Sequence, residues 1–126
     1  MKRTIVFAVV VALSLAVGAA QDTPKVIDVE QLEDNLFVLR GEGGGGNTGV
    51  FVTTDGVVVV DTKNPGWGQP ILEAIGRLTS NPVTTLINTH SHGDHVSGNV
   101  AFATTVEFVA HETTKANMEA MRPYTG

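Results

Sequence analysis

The run Val57-Val58-Val59-Val60 constrains the fold more than any other stretch of the chain. Four β-branched residues in succession favour an extended backbone. They do not alternate with polar residues, so the strand they form needs apolar neighbours on both faces. That is the mark of a strand inside a layered α/β protein rather than of a one-sided antiparallel sheet. The flanking sequence agrees. Val26 to Val29 and Leu36 to Leu39 are β-rich and are separated by a turn at Asp34-Asn35. Gly49 to Thr53 leads to the valines through Asp55-Gly56, a dipeptide that supplies the positive φ angles of a tight hairpin. Ile71, Leu72, Ile75 and Leu78 then recur at helical spacing, with Pro70 near the start and Asn81-Pro82 beyond the end. Val83 to Ile87 and Val106 to Ala110 read as further strands, and Glu112 to Met121 as a helix stopped by Pro123. The order predicts a layered α/β arrangement. There is no internal repeat.

The first twenty residues need separate treatment. Lys2 and Arg3 precede an apolar stretch from Ile5 to Val17, interrupted only by Ser14, and Gly18-Ala19-Ala20 follows. This pattern predicts a signal peptide at residues 1–20, because the apolar run is short of the roughly 20 residues that span a bilayer. The mature protein is then expected to be secreted or periplasmic, with no membrane attachment after cleavage. The chain carries a net charge of −5, and losing Lys2 and Arg3 makes it more acidic still. Such a chain is a poor partner for nucleic acid or anionic lipid. It has no cysteine, so neither disulfides nor thiolate metal ligands enter the argument.

Chemistry concentrates in Thr89-His90-Ser91-His92-Gly93-Asp94-His95. In an extended segment positions i and i+2 face the same side, so His90 and His92 can converge on one metal ion. Gly93 is expected to let the backbone turn sharply there. Asp94 and His95 would then face the same cavity from beyond the turn and serve a second ion. Imidazole and carboxylate donors suit zinc, and iron or manganese are also compatible with them. The cluster begins just past the strand Val83 to Ile87, at the kind of strand end where α/β proteins build their sites.

His90-Ser91-His92-Gly93-Asp94-His95 resembles the H-x-H-x-D-H signature of the metallo-β-lactamase superfamily. The approach through Asn47-Thr48-Gly49-Val50 and Val60-Asp61-Thr62 is similar too, and the resemblance extends from about Val26 to Met121. It implies an αββα sandwich with a metal site at one edge of its sheets. By matching positions, the resemblance implies a pair of zinc ions, one held by His90 and His92 and the second by Asp94 and His95. Asp61 matches a strand-end aspartate beside the family's site, where it would orient a ligand or water. The implied reaction is hydrolysis of a small carbonyl or ester-type substrate by a metal-activated hydroxide, oriented by Asp94.

Two histidines leave a catalytic zinc underligated, since such ions take about three protein ligands and a water. One histidine follows the motif, His111, and its expected task is to cap the helix after it or simply to be solvated. The residues at 21–126 therefore read as the N-terminal half of a metallo-β-lactamase-like domain, truncated at the C-terminus. Two alternatives accompany the hydrolase reading: a mononuclear iron oxygenase on the same fold, and an inactive fragment lacking the remaining ligands. Gly41 to Gly46 formally contains G-x-G-x-x-G. A strand rather than a helix follows it, so it reads as a flexible loop at the rim of the site rather than a dinucleotide cradle. Trp67 is expected to lie partly buried under a loop.

Overall fold

A computed structural model describes residues 23–121. The signal-peptide reading of residues 1–20 and the helix stop at Pro123 fall outside the described residues. The strands β1 (Asp28–Glu33), β2 (Leu36–Arg40), β3 (Thr48–Val52), β4 (Val57–Val60), β5 (Val83–Asn88) and β6 (Glu107–Ala110) form one sheet in sequence order. Strands β1 to β4 are antiparallel neighbours, while β4, β5 and β6 run parallel. The β4–β5 connection carries α1 (Gly68–Leu78). The β5–β6 connection carries the short helix α2 (Gly93–Val96) and a 3-10 turn (Ser97–Ala101). Helix α3 (Glu112–Ala120) follows β6. Both parallel connections advance across the sheet in the same direction, and right-handed crossovers then put their helices on one face.

That face holds the core. Phe37, Leu39, Val50, Val57, Val59 and Leu86 project from the strands and pack against Ile71, Ala74 and Ile75 of α1, with Phe102 and Val106 closing one side. The alternation is legible in the valines. Val57 and Val59 are fully buried beneath α1, while Val58 and Val60 turn to the other face and are half-buried. Strand pairing places Val38, Phe51, Val58, Val60, Ile87 and Val109 together on that second face. Among the described residues nothing covers it, and Phe51 and Val109 remain 42% and 41% exposed. The described residues thus form a mixed six-stranded sheet with three helices, one helix-covered half of a layered α/β structure.

Three local expectations are corrected. The first strand starts at Asp28 rather than Val26 and runs to Glu33, because its pairing with β2 continues up to the Asp34-Asn35 turn. At the β3–β4 hairpin only Gly56 takes a positive φ, 149°, and Asp55 does not. The chain closes through Thr53 N–H donating to the Gly56 carbonyl (2.9 Å), a bond that encloses Thr54 and Asp55 rather than Asp55 and Gly56. Gly93 has no positive φ either: the chain turns after His92 by starting α2, which any residue could do.

Candidate metal centre

The parallel half of the sheet sets the site, because β4 and β5 end side by side. Asp61 directly follows β4 and still belongs to the ladder, its N–H donating to the Ile87 carbonyl (2.9 Å). Its backbone is left-handed (φ 61°), which swings the carboxylate toward the end of β5. There it is almost entirely buried and accepts three hydrogen bonds. Thr89 N–H donates to Oδ1 (2.9 Å), the Thr89 hydroxyl donates to Oδ2 (2.6 Å), and His95 Nδ1 lies 2.8 Å from Oδ2.

These bonds determine the tautomers. A carboxylate can only accept, so His95 Nδ1 carries the proton and Nε2 presents a lone pair. The Thr89 hydroxyl spends its proton on Asp61, so at 2.9 Å from His90 Nδ1 it accepts from that ring. His90 Nε2 is then also a free donor atom. The rings of His90 and His95 have centroids 4.0 Å apart, and ligand atoms of Asp61, His90 and His95 lie within 4.8 Å of one another. Asp61 completes that group by distance. Three of its roughly four lone-pair directions are already taken, so its chemistry is that of a holder of ligands. His92 is exposed, its ring edge-on to His90 at 4.8 Å. Asp94 Oδ2 approaches His95 Nε2 at 3.4 Å. Among the described residues the structure therefore brings His90 and His95 together with Asp61 as one metal-sized group, while His92 lies beside His90 and Asp94 beside His95, both outside that group. Imidazole and carboxylate donors with two Nε2 atoms left free fit a zinc-type ion.

Other residues at the site could not be singled out from sequence. The His95 carbonyl accepts from Thr62 N–H (2.7 Å) and from Asn88 Nδ2 (3.4 Å). Asn99 ties these donors together: its Oδ1 accepts from the Thr62 hydroxyl (2.7 Å) and its Nδ2 donates to Asn88 Oδ1 (2.7 Å). Asn99 lies four residues after His95, the spacing at which a helical side chain would turn inward, but no apolar pattern marks a helix there. Lys63 is fully buried, and its Nζ donates to the Gly46 carbonyl (2.6 Å). Burial, with the Arg40 charge adding to it, holds its pKa below the usual lysine value. No sequence signal marks it, because a lysine beside Asn64-Pro65-Gly66 reads as surface.

The glycine-rich segment does rim the site, but it is pinned. Gly44 N–H donates to the Gly41 carbonyl, Asn64 N–H to the Gly44 carbonyl, and Gly46 N–H to the Asp94 carbonyl (3.2 Å). A Cβ at Gly45 would lie 2.4 Å from Asp94 Cβ, and one at Gly46 2.4 Å from His95 Cε1. Glycine is required here for close approach, where the sequence suggested flexibility. Trp67 is buried beneath the same segment, 4% exposed, with its ring against Gly41 and Gly44. His111 caps α3 as expected, its Nδ1 accepting from Thr113 N–H (3.2 Å).

The model of the metallo-beta-lactamase superfamily matches residues 41–124, two-thirds of the chain, and includes the glycine segment, Asp61 and the histidine motif. This chain belongs to the metallo-beta-lactamase superfamily. Solved structures share its fold at low identity. A metallo-beta-lactamase from Erythrobacter litoralis is 19% identical with a TM-score of 0.64, over 77% of this chain and 48% of that one. The enzyme from Pseudomonas aeruginosa, in a mono-zinc form, is 18% identical with a TM-score of 0.66, over 79% and 47%. A sec-alkylsulfatase from a Pseudomonas species is 17% identical with a TM-score of 0.65, over 75% of this chain and 16% of its own. No curated protein sequence matches. This chain spans about half the length of the β-lactamases it matches.

Proposed function

We propose that the whole protein is an exported, metal-dependent hydrolase, with two zinc ions and a small carbonyl or ester-type substrate. The observation that carries this reading is the hydrogen-bond relay from Asp61 through Thr89 to His90 and directly to His95, which leaves Nε2 of both rings outside the relay, with the ring centroids 4.0 Å apart. Such carboxylate–imidazole pairing fixes ring orientation and raises ligand basicity. In this proposal His90 and His92 hold one ion, and Asp94 and His95 the other. A bound zinc pair supplies a water of lowered pKa and a Lewis acid for the substrate oxygen. The chain's own residues hold the arrangement: Asp61 sets the two imidazole tautomers, Gly46 backs His95, and Asp94 orients a nucleophile between the imidazoles.

Neighbouring structures include β-lactamases and an alkylsulfatase, so the fold tolerates more than one hydrolysable bond. Because this chain spans about half the length of the β-lactamases, the activity is assigned to the whole protein, whose further residues would complete the ligand sets. Export rests on the N-terminal charge and apolar pattern alone.

The test starts by reading the gene past the Gly126 codon. The encoded protein is then purified for metal analysis and for assays against a chromogenic cephalosporin, a lactone and an alkyl sulfate. About two zinc ions per molecule, and turnover of one substrate that His92→Ala abolishes, are expected. A single iron ion with oxygen uptake would replace this reading by an oxygenase. No bound metal at all would remove it.

A further inference from the structure

Lys63 has no assigned role, and its placement is unusual. It follows Asp61 and Thr62 in the loop after β4, where a lysine ordinarily points to water, yet its side chain is the largest of those wholly removed from solvent. Its backbone is left-handed (φ 67°), as is that of Asp61 (φ 61°). Two non-glycine residues in this region within three positions mark a strained turn that surrounding structure must hold in place. The turn sends the Asp61 carboxylate toward β5 and the Lys63 side chain under the glycine segment, where Cδ packs beneath Gly44 and Nζ reaches the Gly46 carbonyl.

Gly46 is the link to the metal centre. Its carbonyl accepts from Lys63, its N–H donates to the Asp94 carbonyl, and a Cβ on it would press on the His95 ring at Cε1, equally near Nδ1 and Nε2. Asp61 fixes His95 through Nδ1. The imidazole is thus held at one nitrogen by a carboxylate and backed at Cε1 by a peptide unit that Lys63 holds down. A buried ammonium near a cation site opposes cation binding by charge, so electrostatic assistance to the metal does not account for its presence. Its charge-assisted bond to a carbonyl does account for it.

We propose that Lys63 is a positioning residue that sets the metal affinity of the centre by clamping Gly46 against His95. The inference rests on the metal-centre reading above. Cobalt(II) is the probe, titrated into the metal-free whole protein while its visible d–d bands are followed, with thermal melting measured on the same samples. Lys63→Met keeps the length of the side chain and removes the donor, whereas Lys63→Arg keeps a donor. We expect Lys63→Met to bind cobalt about 10- to 100-fold more weakly with altered bands, as outer contacts to metal ligands typically do. Lys63→Arg should recover most of that loss. Should Lys63→Met fail to fold, Gly46→Ala carries the test, since its Cβ displaces His95 with Lys63 intact, and it should weaken cobalt binding similarly. Unchanged or tighter cobalt binding in a folded Lys63→Met, or unchanged binding in Gly46→Ala, overturns the proposal while leaving the metal centre standing. A parent protein that binds no cobalt overturns both.

Discussion

Asp61 concentrates more of the site's geometry than any residue of the histidine motif. Its oxygens join the end of β4 to the end of β5 and to α2, and they decide which nitrogen of two imidazoles is free. Two substitutions separate those tasks. Asp61→Asn keeps an acceptor for Thr89 N–H but can turn a donor toward His95 Nδ1, which moves the ring proton onto Nε2. Zinc affinity is expected to fall by about 10- to 100-fold with a small change in melting temperature, read by competition against a chromogenic chelator. Asp61→Ala leaves the Thr89 N–H without its partner and should cost a further 1–3 kcal/mol or so in chemical denaturation. Gly45 is the corresponding steric test. Its φ is +80° and a Cβ would meet Asp94 Cβ at 2.4 Å, so Gly45→Ala should destabilise the protein and displace Asp94, seen as a lower zinc stoichiometry. At this scale the sequence was informative where chemistry is encoded by residue type and spacing. His90, His92, Asp94 and His95 announce themselves, and Asp61 stands out as an aspartate at a strand end. Lys63, Thr62, Asn88 and Asn99 do not, because their roles come from partners 7 to 37 positions distant and not from any local pattern. Gly93 is the converse case: a glycine in a motif suggests a special backbone angle, and none is used.

Elements form where local pattern and tertiary burial agree. Helix α1 was legible because its apolar residues recur at helical spacing and all of them meet the sheet. Ile71, Ala74 and Ile75 are buried in the core, and Ile71→Ala should cost about 2–5 kcal/mol. Helix α3 has the opposite balance. Thr114 is its one buried residue, and a single ion pair, Lys115–Glu119, runs along its exposed surface. Amide exchange should therefore separate the two: α1 amides exchange only on global opening, and α3 amides through local fraying. Equal protection would mean that α3 is docked by residues outside those described. No local pattern announces the short helix and 3-10 turn that Gly93 to Ala101 form, and the cause is physical. The stretch carries no apolar periodicity, and packing rather than propensity winds it. Gly98 lies against the Thr62 carbonyl, where a Cβ would come within 2.1 Å, and Gly68 at the start of α1 lies equally close to the Gly98 carbonyl. Close approach of this kind needs glycine at both 68 and 98. Gly98→Ala should destabilise the fold as strongly as a core truncation and loosen His95, since Thr62 holds the His95 carbonyl.

At the scale of the whole molecule, the sheet of the described residues has one covered face and one open face. The four valines called for apolar cover on both sides of β4, yet among the described residues α1 covers only Val57 and Val59. Phe51, Val58, Val60, Ile87 and Val109 form an apolar surface opposite, larger in kind than the scattered exposed residues of an ordinary surface. The chain spans about half the length of the superfamily structures it matches, and we expect the remainder of the whole protein to cover this face. That expectation separates two preparations of the same sequence. The 126-residue chain alone should bind a hydrophobic dye or associate at micromolar concentration, and the whole protein should do neither. Phe51→Ser provides the quantitative form. Where the face is covered, losing a buried phenylalanine costs about 3–5 kcal/mol; where it is open, a surface change stays near 0.5 kcal/mol. A large cost in the whole protein shows that the second face is a core. A small cost there would mean that the sheet meets solvent or a partner on that side, and that the metal centre is completed by some other arrangement of the chain.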